Sequence, residues 1–175
     1  MTAAQARTVA ASLELFAQRG VGGTSLQMIA DAIGVTKAAL FYQFKTKDEI
    51  VLAAAEDELS RLESVLDAAD AAPAPRRRQV LLQGMVDLAV DRRRTVHVIM
   101  SDPVVLGFFA EHETYRRAFG RLTGLLMGPG TGPHRHLQAA MFMAALSGAA
   151  MHPMLADIDD DTLRSELLRL ARRFR

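Results

Sequence analysis

Apolar residues recur at helical spacing along most of this chain. Val9, Leu13 and Phe16 fall at i, i+4 and i+7, which predicts a helix over residues 4–18 with those three on its buried face. Gly20, Gly22 and Gly23 end it. Ile29, Ala30 and Ile33 give a second, short helix its inner side, and Thr24 with Gln27 three positions on forms a capping-box pattern at its start. Gly34 supplies a tight turn, because glycine takes left-handed backbone at little cost. Thr36 then caps a third helix that closes near Tyr42. A second capping box, Thr46 with Glu49, opens a long helix over 47–69 that Pro73 and Pro75 stop.

The pattern continues in the same style. Residues 76–93 read as a helix with Val80, Leu81, Met85, Leu88 and Ala89 as its apolar face. A short helix over 95–101 is broken at Pro103, and another over 111–127 is closed by the glycine-rich loop 128–133. Residues 134–155 are apolar and rich in small side chains. Asp159, Asp160 and Asp161 stand where the dipole of a last helix favours acid. That helix carries Leu163, Leu167, Leu170 and Phe174 on one stripe, with Arg172, Arg173 and Arg175 at its C-terminal end. Ala and Leu abound and β-branched runs are scarce, so the fold class is all-α.

Composition changes this picture only at the edges. A chain of 175 residues can bury a real core in one or two domains. It has no Cys, which removes a disulfide framework and any thiolate metal site. No apolar run reaches the length of a bilayer span and the N-terminus lacks a secretory pattern, so a cytoplasmic protein without a membrane role is expected. The net charge is only +1. A nucleic-acid role must therefore come from where charges sit, and Lys37, Lys45 and Lys47 cluster in one short stretch.

Two short helices joined by a tight turn over residues 24–42, preceded by a third, form a helix-turn-helix, whose second helix enters the DNA major groove. A recognition helix must approach the groove closely, and Ala38 and Ala39 leave its first turn free of bulk. Their methyl groups suit contact with thymine methyls, and Lys37 suits a guanine edge or a phosphate. Thr36 can cap the helix and still meet a phosphate. Tyr42 offers a hydroxyl to the backbone, and Lys47 lies in the first turn of the next helix, where cation and helix N-terminus favour phosphate. Thr24, Ser25, Gln27 and Gln43 are further candidates. Leu40, Phe41 and Phe44 read as core.

The segment from Val9 to Ala53 resembles the N-terminal domain of the TetR family of transcriptional regulators. The likeness is carried by Leu15-Phe16-Ala17-Gln18-Arg19-Gly20, Thr24-Ser25, Ile29-Ala30, Gly34-Val35-Thr36-Lys37, Leu40-Phe41-Tyr42-Gln43-Phe44 and Lys47. Phe41 departs from it, since the family often has Tyr there. The resemblance implies a helix-turn-helix DNA-binding domain over 1–46 and a helical-bundle domain over 47–175 that binds a small molecule and dimerises. It also implies DNA contacts at the matching positions. The expected function is a homodimeric repressor of a palindromic operator, released by an apolar or amphipathic effector. A rival is a ligand-independent regulator whose C-terminal domain serves only dimerisation or protein partners.

Candidate pocket residues are Met85, Leu88, His97, Met100, Phe108, Phe109, Tyr115, Phe119, Met141 and Phe142, because Met and aromatic side chains shape themselves to apolar ligands. His97 stands out in an otherwise apolar run. Leu137, Met141, Ala144, Ala145 and Gly148, with Leu163, Leu167, Leu170 and Phe174, are expected to build a four-helix dimer interface. His134 with His136, and Glu111-His112-Glu113, are the clusters that suggest a metallo-enzyme. Residues at i and i+2 point to different sides of a helix, and neither cluster has a hydrolase zinc spacing. No enzyme activity, metal or cofactor is expected.

Overall fold

The computed structural model describes residues 1–93, 102–128, 130 and 132–174, and all regular structure among them is helical. The chain divides into two compact units. The first holds α1 (Ala3–Arg19), α2 (Leu26–Ala32), α3 (Lys37–Gln43), the start of α4 (Lys47–Ala71) through Glu58, and α6 (Pro103–Glu111). The second holds α4 from Leu59, α5 (Arg77–Asp91), α7 (Glu113–Met127), α8 (Pro133–Ala150) and α9 (Asp160–Ala171).

In the first unit Thr2 and Gln5 form a reciprocal capping box that fixes the start of α1. Val9, Leu13 and Phe16 are buried, as their spacing predicts, along with Ile29, Ala30 and Leu40 from the next two helices. Ile50, Val51, Ala54 and Ala55 add the inner face of α4. The cap of α2 differs from expectation. Ser25, not Thr24, accepts the Met28 N–H, at 3.2 Å. Thr24 is 2% exposed and donates its hydroxyl to the Gly20 carbonyl at 2.9 Å. Gln27 bonds the Asp31 carboxylate at 2.7 Å, one turn on. At α4 the Glu49 N–H reaches Thr46 Oγ1 at 3.1 Å, but the Glu49 carboxylate accepts from the Lys45 N–H at 2.6 Å, one residue beyond a capping box.

The core of the second unit is built from Leu62, Leu66, Leu81, Leu82, Val86, Leu122, Phe142, Leu146, Leu163 and Leu167. Each such side chain contributes roughly 1.5–3 kcal/mol on burial. α5 is turned relative to the predicted face, burying Leu81, Leu82, Met85, Val86 and Val90 and leaving Val80, Leu88 and Ala89 half-buried. Gly84 lets α4 and α5 approach, since a Cβ there would stand 2.7 Å from Val65 Cγ1. Pro103 starts α6, the position where its missing N–H costs nothing. The helix expected over 111–127 begins instead at Glu113, because His112 is extended between α6 and α7. α8 stops at Ala150, ahead of a short 3-10 turn at Pro153–Leu155. The helix expected over 95–101 lies outside the described residues.

Charged side chains tie this unit together at its ends. Arg78 donates to the carbonyls of Leu126 and Phe174 at 3.3 and 2.5 Å, and Arg93 to that of Ile158 at 3.0 Å. Arg121 pairs with Asp67 and Asp70, both at 2.7 Å, and these carboxylates, Asp70 first, push its guanidinium pKa upward. Asp159 caps α9, accepting the Thr162 N–H at 2.9 Å, and that bond holds its carboxyl below the ordinary 3.8. A depressed folded-state pKa stabilises above the unfolded value and is lost as pH falls through the folded one. Asp159→Ala should therefore lower the thermal midpoint at neutral pH. The gap from the parent should close in melts below 3.8, and a gap independent of pH would contradict the ionised cap.

Candidate nucleic-acid interface

The turn between α2 and α3 is set by Gly34 at φ 70 and by the Val35 N–H bonding the Ala30 carbonyl at 3.0 Å. Thr36 is extended, and its hydroxyl accepts the Ala39 N–H at 3.1 Å. This leaves Thr36, Lys37, Ala38 and Ala39 exposed around the first turn of α3. On the opposite side Leu40 is fully buried, which fixes how α3 is rotated. The exposed turn presents two methyl groups, a cation and the positive end of a helix, with no bulky side chain in front.

At the other end of α3, Tyr42 is 87% exposed. Phe41, read from the sequence as core, is 46% exposed. It lies about 100° around the helix from Leu40, and Leu40 is the only residue of α3 that is buried. Gln43 is half-buried and its amide oxygen accepts the Thr8 hydroxyl at 3.0 Å, which turns that oxygen toward α1. Lys47 is also half-buried. Its ammonium donates to the Val21 carbonyl at 2.6 Å and to that of Gly22 at 3.5 Å, closing the loop after α1. Thr24, buried and bonded to Gly20, is turned away from solvent, whereas Ser25 and Gln27 are exposed. Sequence reasoning counted Lys45 in the cation cluster but assigned it no DNA contact. It is exposed, and its Nζ stands 4.8 Å from the Phe41 ring centroid and 5.9 Å from that of Tyr42. The i, i+4 step from Phe41 to Lys45 was the available signal.

The expected pocket residues separate. Phe108 and Phe109 stand on α6 in the first unit, and Met85, Leu88, Tyr115, Phe119 and Phe142 in the second. Met85, Phe109 and Phe142 are buried, and Met141 is exposed, which takes it out of any interior site. His97 and Met100 lie outside the described residues. Tyr115 stacks on Phe119 at 6.4 Å, and burial raises its hydroxyl pKa. An open groove of about 720 Å³ runs between α4 and α5, floored by Val65, Ala68 and Val80 and edged by Arg76 and Gln83. None of the expected pocket residues lines it.

The expected dimer residues divide as well. On α8, Leu137 and Met141 are 60% and 57% exposed, and Ala144, Ala145 and Gly148 are exposed beside them. The spacing of these positions makes one apolar stripe. The α9 stripe is not continuous. Leu163 and Leu167 are buried in the unit's own core and Phe174 packs on it, its ring 5.2 Å from Phe142, while Leu170 is 53% exposed. The i, i+4, i+7 spacing puts Leu170 on the same side as Leu163 and Leu167, yet the unit's own helices leave it uncovered. His134 and His136 are exposed, and among the described residues no three His, Asp or Glu side chains gather as a metal would require. No helix among them is long and apolar enough to cross a membrane.

Comparison with known proteins converges on the same region. The family model described as bacterial regulatory proteins, tetR family, matches residues 9–54. The HTH-type transcriptional regulator TtgR of Pseudomonas putida is 34% identical over 95 residues, 51% of this chain and 44% of that protein. An uncharacterized HTH-type transcriptional regulator of Bacillus subtilis, YerO, is 38% identical over 50 residues, 29% of this chain and 17% of that protein. The chain spans less than half the length of the curated relatives it matches. Among solved structures, a tetR-family regulatory protein from Rhodococcus RHA1 superposes with a TM-score of 0.75 at 21% identity, covering 99% of this chain and 97% of that one. AibR, solved in complex with isovaleryl coenzyme A and operator DNA, gives 0.65 at 17% identity, covering 95% and 96%. At such identities these two show a shared all-α fold of helix-turn-helix plus helical C-terminal part. Residues 9–54 thus carry the sequence pattern of the tetR family of bacterial regulatory proteins, and the fold matches that of solved tetR-family structures.

Proposed function

We propose that this chain is a DNA-binding transcriptional regulator that acts in the cytoplasm as a homodimer. It represses by occupying a palindromic operator and lets go when a small apolar or amphipathic effector binds its C-terminal unit. The observation that carries the reading is the first turn of α3. It is capped by Thr36, anchored by buried Leu40, and exposes only Lys37, Ala38 and Ala39. That surface fits a major groove, where small side chains allow close approach and one cation meets a base edge or phosphate. The exposed α8 stripe supports pairing, because one recognition helix contacts few base pairs and a two-fold partner doubles the site. The neighbour AibR, a complex of one such chain with an acyl coenzyme A and operator DNA, supports a ligand-governed role. Release follows if the effector favours a state whose two recognition helices no longer match the half-site spacing.

Selection of the protein, dialysed free of small molecules, on random-sequence duplexes at near-physiological salt tests this. The expected product is a palindrome whose half-sites lie about one helical turn apart. Enrichment of a lone half-site would remove the dimer. Absence of any enriched sequence would remove the operator.

A further inference from the structure

The cations near α3 are not equivalent. Lys47, the natural choice for a phosphate contact, has its ammonium on the Val21 and Gly22 carbonyls and is half-buried by them. Its charge fastens a loop of its own unit. Lys45 is different. Its side chain is exposed, and its ammonium makes no hydrogen bond or ion pair among the described residues. Glu49 makes no ion pair with it, its carboxylate accepting the Lys45 backbone N–H at 2.6 Å. The ammonium instead rests against two rings, 4.8 Å from the Phe41 centroid and 5.9 Å from the Tyr42 centroid, both within the range of cation–π attraction.

We propose that Lys45 is a DNA-phosphate contact of this protein, with the exposed Phe41 ring as the platform that holds its ammonium in place at the C-terminal end of the recognition helix. The proposal rests on the DNA-binding reading above and adds a residue to it. Three facts meet here. A large apolar ring is exposed where burial would be expected, an unpaired cation lies on it, and the neighbouring lysine is engaged elsewhere. An ammonium already confined over a ring loses less freedom on meeting a phosphate than one on a fully mobile stem. The attraction to a ring face also leaves its N–H groups on the far side free to donate, which an ion pair with a carboxylate would not.

The test uses the whole protein and a mixed-sequence duplex several turns long, because phosphate contacts do not depend on base sequence. Binding is followed by fluorescence anisotropy over a series of salt concentrations. Lys45→Ala should reduce the slope of log K against log salt by about 0.9 for each Lys45 engaged, with an unchanged melting curve. Phe41→Leu should weaken binding several-fold and keep the slope, because the charge remains. Lys47→Met should lower the thermal midpoint and keep the slope. An unchanged slope for Lys45→Ala beside a parent protein that binds overturns the role of Lys45, as does loss of slope in Lys47→Met alone. A parent protein that does not bind the duplex at any salt overturns the DNA-binding reading itself.

Discussion

Ala39→Glu is expected to weaken operator binding by about 100-fold or more while leaving the protein slightly more stable. The two effects have opposite signs because they act through different partners. Thr36 caps α3 and already accepts the Ala39 N–H. A glutamate at 39 completes the sequence of a capping box and places a carboxylate at the positive end of the helix, worth about 0.3–1 kcal/mol. The same carboxylate stands on an exposed turn that faces phosphates in the proposed complex, and like charges brought together at an interface cost several kcal/mol. Ala39→Gln supplies the cap without the charge and should lose far less affinity. Anisotropy with the selected operator and a thermal melt read both quantities. A glutamate variant that binds within a few-fold of the parent would mean that the first turn of α3 does not meet DNA. One that melts lower would mean that the cap geometry is wrong.

The first unit was legible because its signals are local. Apolar residues at i, i+4 and i+7 place Val9, Leu13 and Phe16 inside, and a Thr-capped helix after Gly34 needs no tertiary information. What escaped depended on partners distant in sequence. Lys47 meets Val21 across the end of α1, and no spacing rule announces a carbonyl there. Gln43 is drawn to Thr8 in the same way. Thr24 and Ser25 both have capping hydroxyls, and the choice fell to Ser25 because the Thr24 hydroxyl was taken by Gly20. Phe41 was misread by a different route, since treating every aromatic residue as core ignores that α3 has one narrow buried face.

The second unit was less legible because its helices are too apolar. α5 carries apolar residues at 80, 81, 82, 85, 86, 88, 89 and 90, and more than one face of it would serve as an inner side. The packing of α5 against α9 and the close approach at Gly84 select the face that holds Leu82, Val86 and Val90. The α9 stripe shows the same ambiguity at smaller scale. Leu163 and Leu167 complete the unit's own core, so the exposed part of the expected dimer stripe is carried mainly by α8.

That surface makes Gly148→Arg the sharpest test of assembly. Gly148 is exposed within α8, and a Cβ added there would meet no atom within 4 Å, so its own chain has room for a side chain. Replacing a glycine in the last turn of a helix by a good helix former should stabilise the isolated unit, by less than the roughly 1 kcal/mol of a mid-helix site. In a two-fold pair built on the Leu137, Met141 and Gly148 stripe, the same change places two guanidinium groups at a close helix crossing, once from each subunit. Desolvating them without partners costs several kcal/mol. The expected result is a shift from dimer to monomer in sedimentation at micromolar concentration, and an operator affinity about 100-fold weaker as each half-site is held alone. Gly120→Arg on α7 is the matched control, because that glycine is also exposed with no atom within 4 Å of an added Cβ, and it should leave the dimer whole. A dimer that survives Gly148→Arg and breaks with Gly120→Arg would move the two-fold contact to α7. A dimer that survives both would leave exposed Leu170 on α9 as the apolar position through which the subunits meet.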